Sequence, residues 1–408
     1  PRGNMYAVTA FLKSALGWRW YAVFEHPVVP SSPTVELTPF HEKLDFSFRY
    51  REIIPYFDDT FYYRNGANMT YKWQRSNARW QKYVRRGIMP ALDGKARIGG
   101  CHSLHQYIPP TPDTHLWPQY QWIQERNYFQ THPAFFSMNS DGQRVRNRQL
   151  CFSNPDLRNE LTEKIYDHIR RRGENSVITV GANDHGGAFC HCPECSKLEK
   201  HYDAPGGAYF DYLLALTRQL KEDHPGVTLK GVAYRRMQSQ KPPQLPKGVR
   251  FPDNFVILFA PVNDPYLGDW RQPDPGLQQT YARLKGWSRI VSDIWVYYYP
   301  NPYGTGTVMP LGNVERFITA VRMMHKAGAT GLYMEHAGGG VLQGGNFTGL
   351  LTYLFFTLTR DVNCDTDAVI REFTDHKYGP AGKLVRNYLN ELEQGRKAIR
   401  EMPGGLTC

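Results

Sequence analysis

From residue 46 onward the chain alternates short β-branched or aromatic runs with longer amphipathic stretches, and this repetition narrows the folds open to it. The clearest run is Val177-Ile178-Thr179-Val180, which stops abruptly at Gly181. A near-continuous apolar run reads as a strand buried on both faces, the kind found in parallel sheets. Candidate strands of the same type fall at 46–51, 96–99, 149–152, 228–233, 255–259, 290–296 and 331–334. Helical periodicity lies between several of them, at 74–86, 155–172, 207–223, 275–287 and 314–327. The helix at 155 has a defined start, with Asn154 placed to cap it and Pro155 at its first position. A missing N–H costs nothing there. Strands alternating with helices imply a mainly parallel α/β sheet. About eight such units over roughly 320 residues suit a (β/α)8 TIM barrel better than an open sheet.

The flanks differ from this repeat. Residues 6–16 form an amphipathic helical pattern ended by Gly17, followed by a short apolar strand at 18–23 and a proline-rich link at 27–39. The expected division is therefore 1–45 as the tail of a small α/β domain with its linker, 46–360 as the barrel, and 361–408 as a C-terminal helical segment. The chain opens inside a helical pattern, so a preceding portion is expected, and no leader is readable from its start.

Aromatic residues make up 14% of the chain, with 26 Tyr and 9 Trp, more than a core alone requires. Flat aromatic faces are also the usual grip on sugar rings. The net charge of +11 raises nucleic acid as a partner. Yet the densest basic clusters, Arg85-Arg86 and Arg170-Arg171-Arg172, sit near the ends of expected helices, where cations complement the helix dipole. No nucleic-acid motif accompanies them, so a generic basic surface is the reading. With no apolar run of 18 residues, no membrane-spanning helix is expected.

In α/β barrels chemistry sits where strands end at their carboxyl side. Those positions hold Arg51-Glu52, Cys101-His102-Ser103-Leu104-His105, Asn183-Asp184-His185, Tyr234-Arg235, Asn263-Asp264, and Glu335-His336 before Gly338-Gly339-Gly340. The run at 290–299 adds Asp293, Trp295, Tyr297, Tyr298 and Tyr299. Two carboxylates flanking a scissile bond are the minimum for glycoside hydrolysis, one donating a proton while the other attacks or activates water. Asp184 and Glu335 are the leading pair. If the sugar carries a 2-acetamido group, its own amide oxygen can attack instead. The protein then needs an acid and a group that positions the amide, which the neighbours Asn183 and Asp184 suit. Glu52, His102, His185, Tyr234 and Asp293 are candidates to bond sugar hydroxyls, and Trp295, Tyr297 and Tyr298 to form a stacking wall. The plainer alternatives are a loop turn for Asp184, a rim ion pair for Glu335, and pairing with Arg49 or Arg51 for Glu52. On this reading the catalysis itself requires no cofactor.

Seven cysteines, an odd number, make no tidy disulfide framework; Cys101, Cys151, Cys364 and Cys408 stand apart in sequence. Cys190, Cys192 and Cys195 combine C-x-C with C-x-x-C, a spacing at which thiolates can share a structural zinc. His185, His191 or His201 would be the fourth ligand. A disulfide between two of the three, or free thiols, are competing readings.

Several blocks resemble a large bacterial family first described only as a domain of unknown function. They are FSFRYREI, HPAFFSMNSDGQRVRNRQLCFSNP, VGANDHGGAFCHCPEC, KGVAYRRMQSQKPP, DIWVYYY and EFTDHKYGPAGKLVRNYL. The opening GNMYAVTAFLKSALGWRWY is similar to the end of the small domain that precedes the barrel in hexosaminidase-like glycosidases. The resemblance covers nearly the whole chain, and the Asn-Asp…Cys-x-Cys-x-x-Cys block is its most specific part. It implies endo-β-N-acetylglucosaminidase activity on the chitobiose core of N-glycans, through substrate-assisted retention. Asn183 and Asp184 fall on the family's fourth-strand motif and Glu335 on its eighth-strand block. A secreted or periplasmic protein acting on glycans or glycoproteins is the expectation that follows.

Overall fold

The computed structural model describes residues 2–23, 25–31, 34–37, 39, 41–54, 59–68, 101–114, 122–185, 187, 189–262, 268, 270–271, 275–300, 310, 312–335 and 347–401. Its centre is a six-stranded sheet of β1 (Tyr50–Ile54), β2 (Val177–Val180), β3 (Thr228–Ala233), β4 (Phe255–Phe259), β5 (Asp293–Tyr298) and β6 (Gly331–Glu335). All neighbouring strands are parallel, in the order β1-β6-β5-β4-β3-β2. The first strand thus lies beside the last, the neighbour relation that curls a parallel sheet toward a barrel. The described part is a curled half-barrel with edges at β1 and β2. The expected strand at 96–99 and helix at 74–86 lie outside the described residues, as do Asn263, Asp264, His336, Gly338 to Gly340 and Cys408.

Among the described residues, helices of nine residues or more are α1 (Arg2–Ser14), α2 (Pro155–Arg172), α3 (Pro193–His201), α4 (Gly207–Asp223), α5 (Pro275–Trp287), α6 (Val314–Lys326), α7 (Thr348–Arg360), α8 (Thr366–Tyr378) and α9 (Gly382–Glu401). The start of α2 is as its sequence implies, with the Asn154 side chain accepting from Leu157 N. Side chains along each strand alternate between two faces. Ile53, Ile178, Val180, Leu229, Ile257, Val296 and Met334 join the helices in one large buried cluster. The opposite set, including Tyr50, Val232, Tyr234, Leu258, Trp295 and Tyr333, forms a second cluster on the interior face. Gly331 makes that interior possible, because a Cβ there would lie 2.5 Å from the Trp295 ring and 2.7 Å from Tyr50 Cβ.

Three expected strands need correction. Residues 149–152 add no strand to the sheet; Leu150 makes a single antiparallel bridge to Phe136, and the Gln149 side chain is spent on the backbone of residue 183. The first strand begins at Tyr50 rather than at 46, because Ser47 N and Phe48 N donate to Arg360 O and Thr359 O at the end of α7. The segment 18–23 holds only the Arg19–Val28 bridge. It is tied to the far end of the chain instead, with Arg19 Nε 2.8 Å from Glu372 on α8 and Tyr21 stacked on His376. Among the described residues, no helix is long and apolar enough to cross a membrane.

Candidate active site

The interior face gathers ionisable groups toward the carboxyl ends of the strands. Period-two alternation turns Tyr50 and Glu52 of β1 inward, and the Tyr50 hydroxyl donates to Glu52 Oε2. Tyr50 stacks on Trp295, with ring centroids 3.7 Å apart and planes at 11°. Glu52 does not pair with either neighbouring arginine. Arg51 faces outward, donating to Gly66 O and Phe48 O over the Phe46 ring, while Arg49 reaches Asp293. Lys230 also points into the interior, and burial lowers its pKa against the opposing fields of Cys101 and Glu52. Burial likewise raises the Cys101 thiol to about 11, with Lys230 opposing and Glu52, Glu335 and Asp184 adding to the rise. One thiol therefore senses three carboxylates contributed by β1, β6 and the loop after β2.

Asp184 follows β2 and is held by the end of β3. Its Oδ1 accepts from Tyr234 Oη at 2.8 Å and from Arg235 at 3.1 Å. Partial burial favours the neutral carboxyl, but these two bonds outweigh it and hold the pKa below the ordinary aspartate value. Arg235 opens a five-residue π turn, Arg235–Ser239, at φ +50°. A non-glycine residue in that left-handed region is strained, and strain of this kind gathers at functional sites. His102 packs edge-on against Tyr234, 5.1 Å between centroids, with Nδ1 2.6 Å from Ala182 O. A carbonyl only accepts, so Nδ1 carries the proton and the neutral ring keeps Nε2 as an acceptor.

Glu335 ends β6. Burial alone raises its pKa to about 7, and Tyr297 Oη donates to its Oε2. Tyr297 stacks with Tyr333 and with Tyr299, at 4.3 and 4.8 Å between ring centroids. The two leading carboxylates thus have opposite tendencies, one protonated near neutrality and one ionised. That separation is how a single site performs acid and base work together.

Other expected residues are placed elsewhere. Asn183 is buried and bonded to the protein at both ends of its amide: Oδ1 accepts from His105 N and Nδ2 donates to Arg148 O. It locks the loop after β2 to the segments before it, with one N–H and one lone pair of its amide engaged in that role. Asp293 sits at the amino end of β5, bonded to Thr330 and Arg49, at the opposite end from Glu335. Tyr298 faces the helices, accepting from Arg316 at 2.7 Å. Trp295 has one face covered by Tyr50. His185 is half-buried beside the site, its backbone carbonyl accepting from Gln238. Lys230, Tyr50 and Tyr333 were not among the expected site residues, and Arg235 and Cys101 stood at expected strand ends without an assigned role. For Lys230 and Tyr333 the signal was present, since each falls on the inward parity of its strand.

The cysteine group also needs correction. Cys151 completes it, and the four Sγ atoms of Cys151, Cys190, Cys192 and Cys195 lie within 4.8 Å of one another. No histidine joins this set among the described residues, so His185, His191 and His201 are not its fourth member.

The family model for a domain of unknown function, DUF4838, matches residues 21–390. The chain belongs to that family. No curated protein matches this DUF4838 chain. Among solved structures, it is similar to a GH138 enzyme targeting pectin rhamnogalacturonan II, at 10% identity and a TM-score of 0.29, over 65% of this chain and 36% of that one. It is also similar to a glucosidase from Croceicoccus marinus, at 12% identity and a TM-score of 0.26, over 66% and 69% of the two chains. The DUF4838 chain spans about a third of the length of the GH138 enzyme, 36%. Likenesses this slight decide neither the architecture nor the activity.

Proposed function

We propose that this protein is a glycoside hydrolase, built on a (β/α)8 barrel, that cleaves a glycan at the carboxyl ends of its strands. Glu335 is the general acid and Asp184 the anionic partner, with Tyr297, Tyr333 and Tyr234 as the aromatic wall. The observation that carries this reading is the pairing of a half-buried, proton-retaining carboxyl at the end of β6 with a hydrogen-bonded, solvent-facing carboxylate after β2. Tyr297 occupies Glu335 Oε2, which leaves Oε1 to give its proton to the leaving oxygen. Tyr234 and Arg235 both occupy Asp184 Oδ1, which leaves Oδ2 to act on the substrate. His102 Nε2 and Glu52 accept from sugar hydroxyls.

The substrate we favour contains β-linked N-acetylglucosamine, as the resemblance implies. Asp184 then accepts from the acetamido N–H, so that the amide oxygen attacks the anomeric carbon. A second reading has a specific observation behind it. With Asn183 tied to the backbone of neighbouring segments and Lys230 and Arg235 beside the carboxylates, an acidic, uronic-acid-containing glycan cleaved by two ordinary carboxylates also fits. A secreted or periplasmic protein, acting on glycans outside the cytoplasm, is part of the proposal. The domain division 1–45, 46–360 and 361–408 is retained as part of this proposal.

Mass spectrometry of products from N-glycoproteins and from uronic-acid polymers tests both readings. Glycans released with a single N-acetylglucosamine left on the peptide, and inhibition by a thiazoline mimic of the cyclised intermediate, support the first. Fragments from the acidic polymer alone support the second. Sugar binding unchanged by Asp184→Asn and Glu335→Gln, without turnover by the wild type, overturns catalysis altogether and leaves a glycan-binding protein.

A further inference from the structure

The four clustered cysteines come from two separate stretches of chain. Cys190, Cys192 and Cys195 lie on the loop after β2 and the first turn of α3, and Cys151 lies on the excursion that leads into α2. All four are buried. Cys151 Sγ is 3.6 Å from Cys192 Sγ and 3.9 Å from Cys195 Sγ. A tetrahedral zinc with Zn–S bonds of about 2.3 Å separates its sulfurs by about 3.8 Å. These distances match that figure and are far from the roughly 2.05 Å of a disulfide.

The surroundings suit thiolates rather than thiols. Met138 N donates to Cys190 Sγ at 3.2 Å. Ser153 Oγ lies 3.4 Å from Cys192 Sγ and 3.1 Å from Cys195 Sγ. The Arg144 guanidinium, which donates to Phe136 O, lies close enough for its charge to act on Cys151, Cys190 and Cys192. Cys192 occupies the residue before the first turn of α3 and Cys195 lies in that turn, where the helix dipole is positive. Backbone N–H, hydroxyl, guanidinium and helix terminus thus converge on sulfurs packed in an otherwise apolar cluster. Four neutral thiols give such donors little to do, whereas four thiolates on a divalent cation carry a net charge of −2 that they offset.

We propose that Cys151, Cys190, Cys192 and Cys195 bind one structural zinc ion that staples the excursion before α2 to the loop carrying Asp184. Binding releases the four thiol protons to solvent and oxidises nothing. All four positions of the ion are filled by sulfur, so it has no opening for substrate or water and takes no part in bond cleavage. Its role is mechanical. Gln149 and Asn183 already clasp each other beside it, through Gln149 Nε2 to Asn183 O and Asn183 N to Gln149 Oε1, each at 2.9 Å. The ion closes the same two stretches from the other side.

Elemental analysis of the whole protein, purified without chelator, is expected to find about one zinc per chain. Replacement by cobalt is expected to give the intense sulfur-to-metal band and visible absorption of a tetrahedral tetrathiolate. Cys151→Ser should weaken both and lower metal content at least tenfold, while Cys364→Ser, a cysteine outside the cluster, leaves them unchanged. If Cys151→Ser fails to fold, the wild-type cobalt spectrum still counts the sulfur ligands. Metal-free protein that has lost two hydrogens per disulfide overturns the proposal. So does iron in place of zinc, or a cobalt spectrum that Cys151→Ser leaves intact.

Discussion

Glu335 and Asp184 govern opposite limbs of the pH profile. Glu335 keeps its proton to about pH 7, so activity is expected to fall as pH rises through that value. Asp184 is held low by Tyr234 and Arg235, so the acidic limb of the rate profile should lie well below it. Tyr234→Phe removes one of those bonds and is expected to move the acidic limb upward while leaving the alkaline limb in place, as a pH–rate profile would show. Glu335→Gln should reduce turnover by about 100- to 10,000-fold. The same variant is expected to be the more stable protein above neutrality. An unfolded chain loses this proton near the ordinary glutamate value, whereas the folded one keeps it to about 7. Ionisation therefore opposes folding progressively as pH rises through that window, by roughly 3 kcal/mol once complete. Glutamine removes that cost, so thermal unfolding of variant and wild type should diverge at pH 8 and converge at pH 4.

The π turn after β3 combines a strained backbone with an ion pair, and two substitutions separate them. Arg235→Ala loses the guanidinium and keeps a Cβ at φ +50°; Arg235→Gly loses the guanidinium and relieves the backbone. Glycine should therefore be the more stable replacement by about 1 kcal/mol in urea unfolding, although both lose activity. Nothing in the sequence announces this turn, because RRMQS has ordinary helical propensity and its anchors are tertiary, Ser239 Oγ on Val232 O of β3 and Gln238 on His185 O of the loop after β2. Buried elements were easier to read. The strands at Val177–Val180, Thr228–Ala233 and Phe255–Phe259 and the helix at Pro155–Arg172 fall where their apolar patterns put them. Tyr50–Ile54 was harder because its inward positions hold Tyr50 and Glu52, a polar pair that breaks the apolar signal. The cysteine cluster was three-quarters legible. Spacing joins Cys190, Cys192 and Cys195, but no local pattern shows that Cys151, some forty residues earlier, folds back onto them.

Across the whole molecule, partly buried histidines make the fold sensitive to acid. Burial, reinforced by the charge of His185, depresses the pKa of His105 to about 4, and burial also lowers that of His102. The unfolded chain takes up these protons near pH 6.5, before the folded one does. The stability the neutral rings contribute is complete above pH 6.5 and is lost as pH falls toward 4, about 3 kcal/mol for His105 alone. The urea midpoint should thus drop between pH 7 and pH 5, and His105→Gln should flatten that drop.

The pairing of β1 with β6 sets Tyr50 beside Gly331, while Arg19 and Tyr21 reach across to Glu372 and His376. A ribosome releases the first of these partners long before it makes the second. The edge of β1 must therefore wait, unpaired, while most of the chain is synthesised, and such an exposed edge invites pairing with other chains. Contacts this distant in sequence also slow the search for the native state. The early chain is where a chaperone would be needed most, and a product truncated before residue 331 would be left with a sticky, open strand.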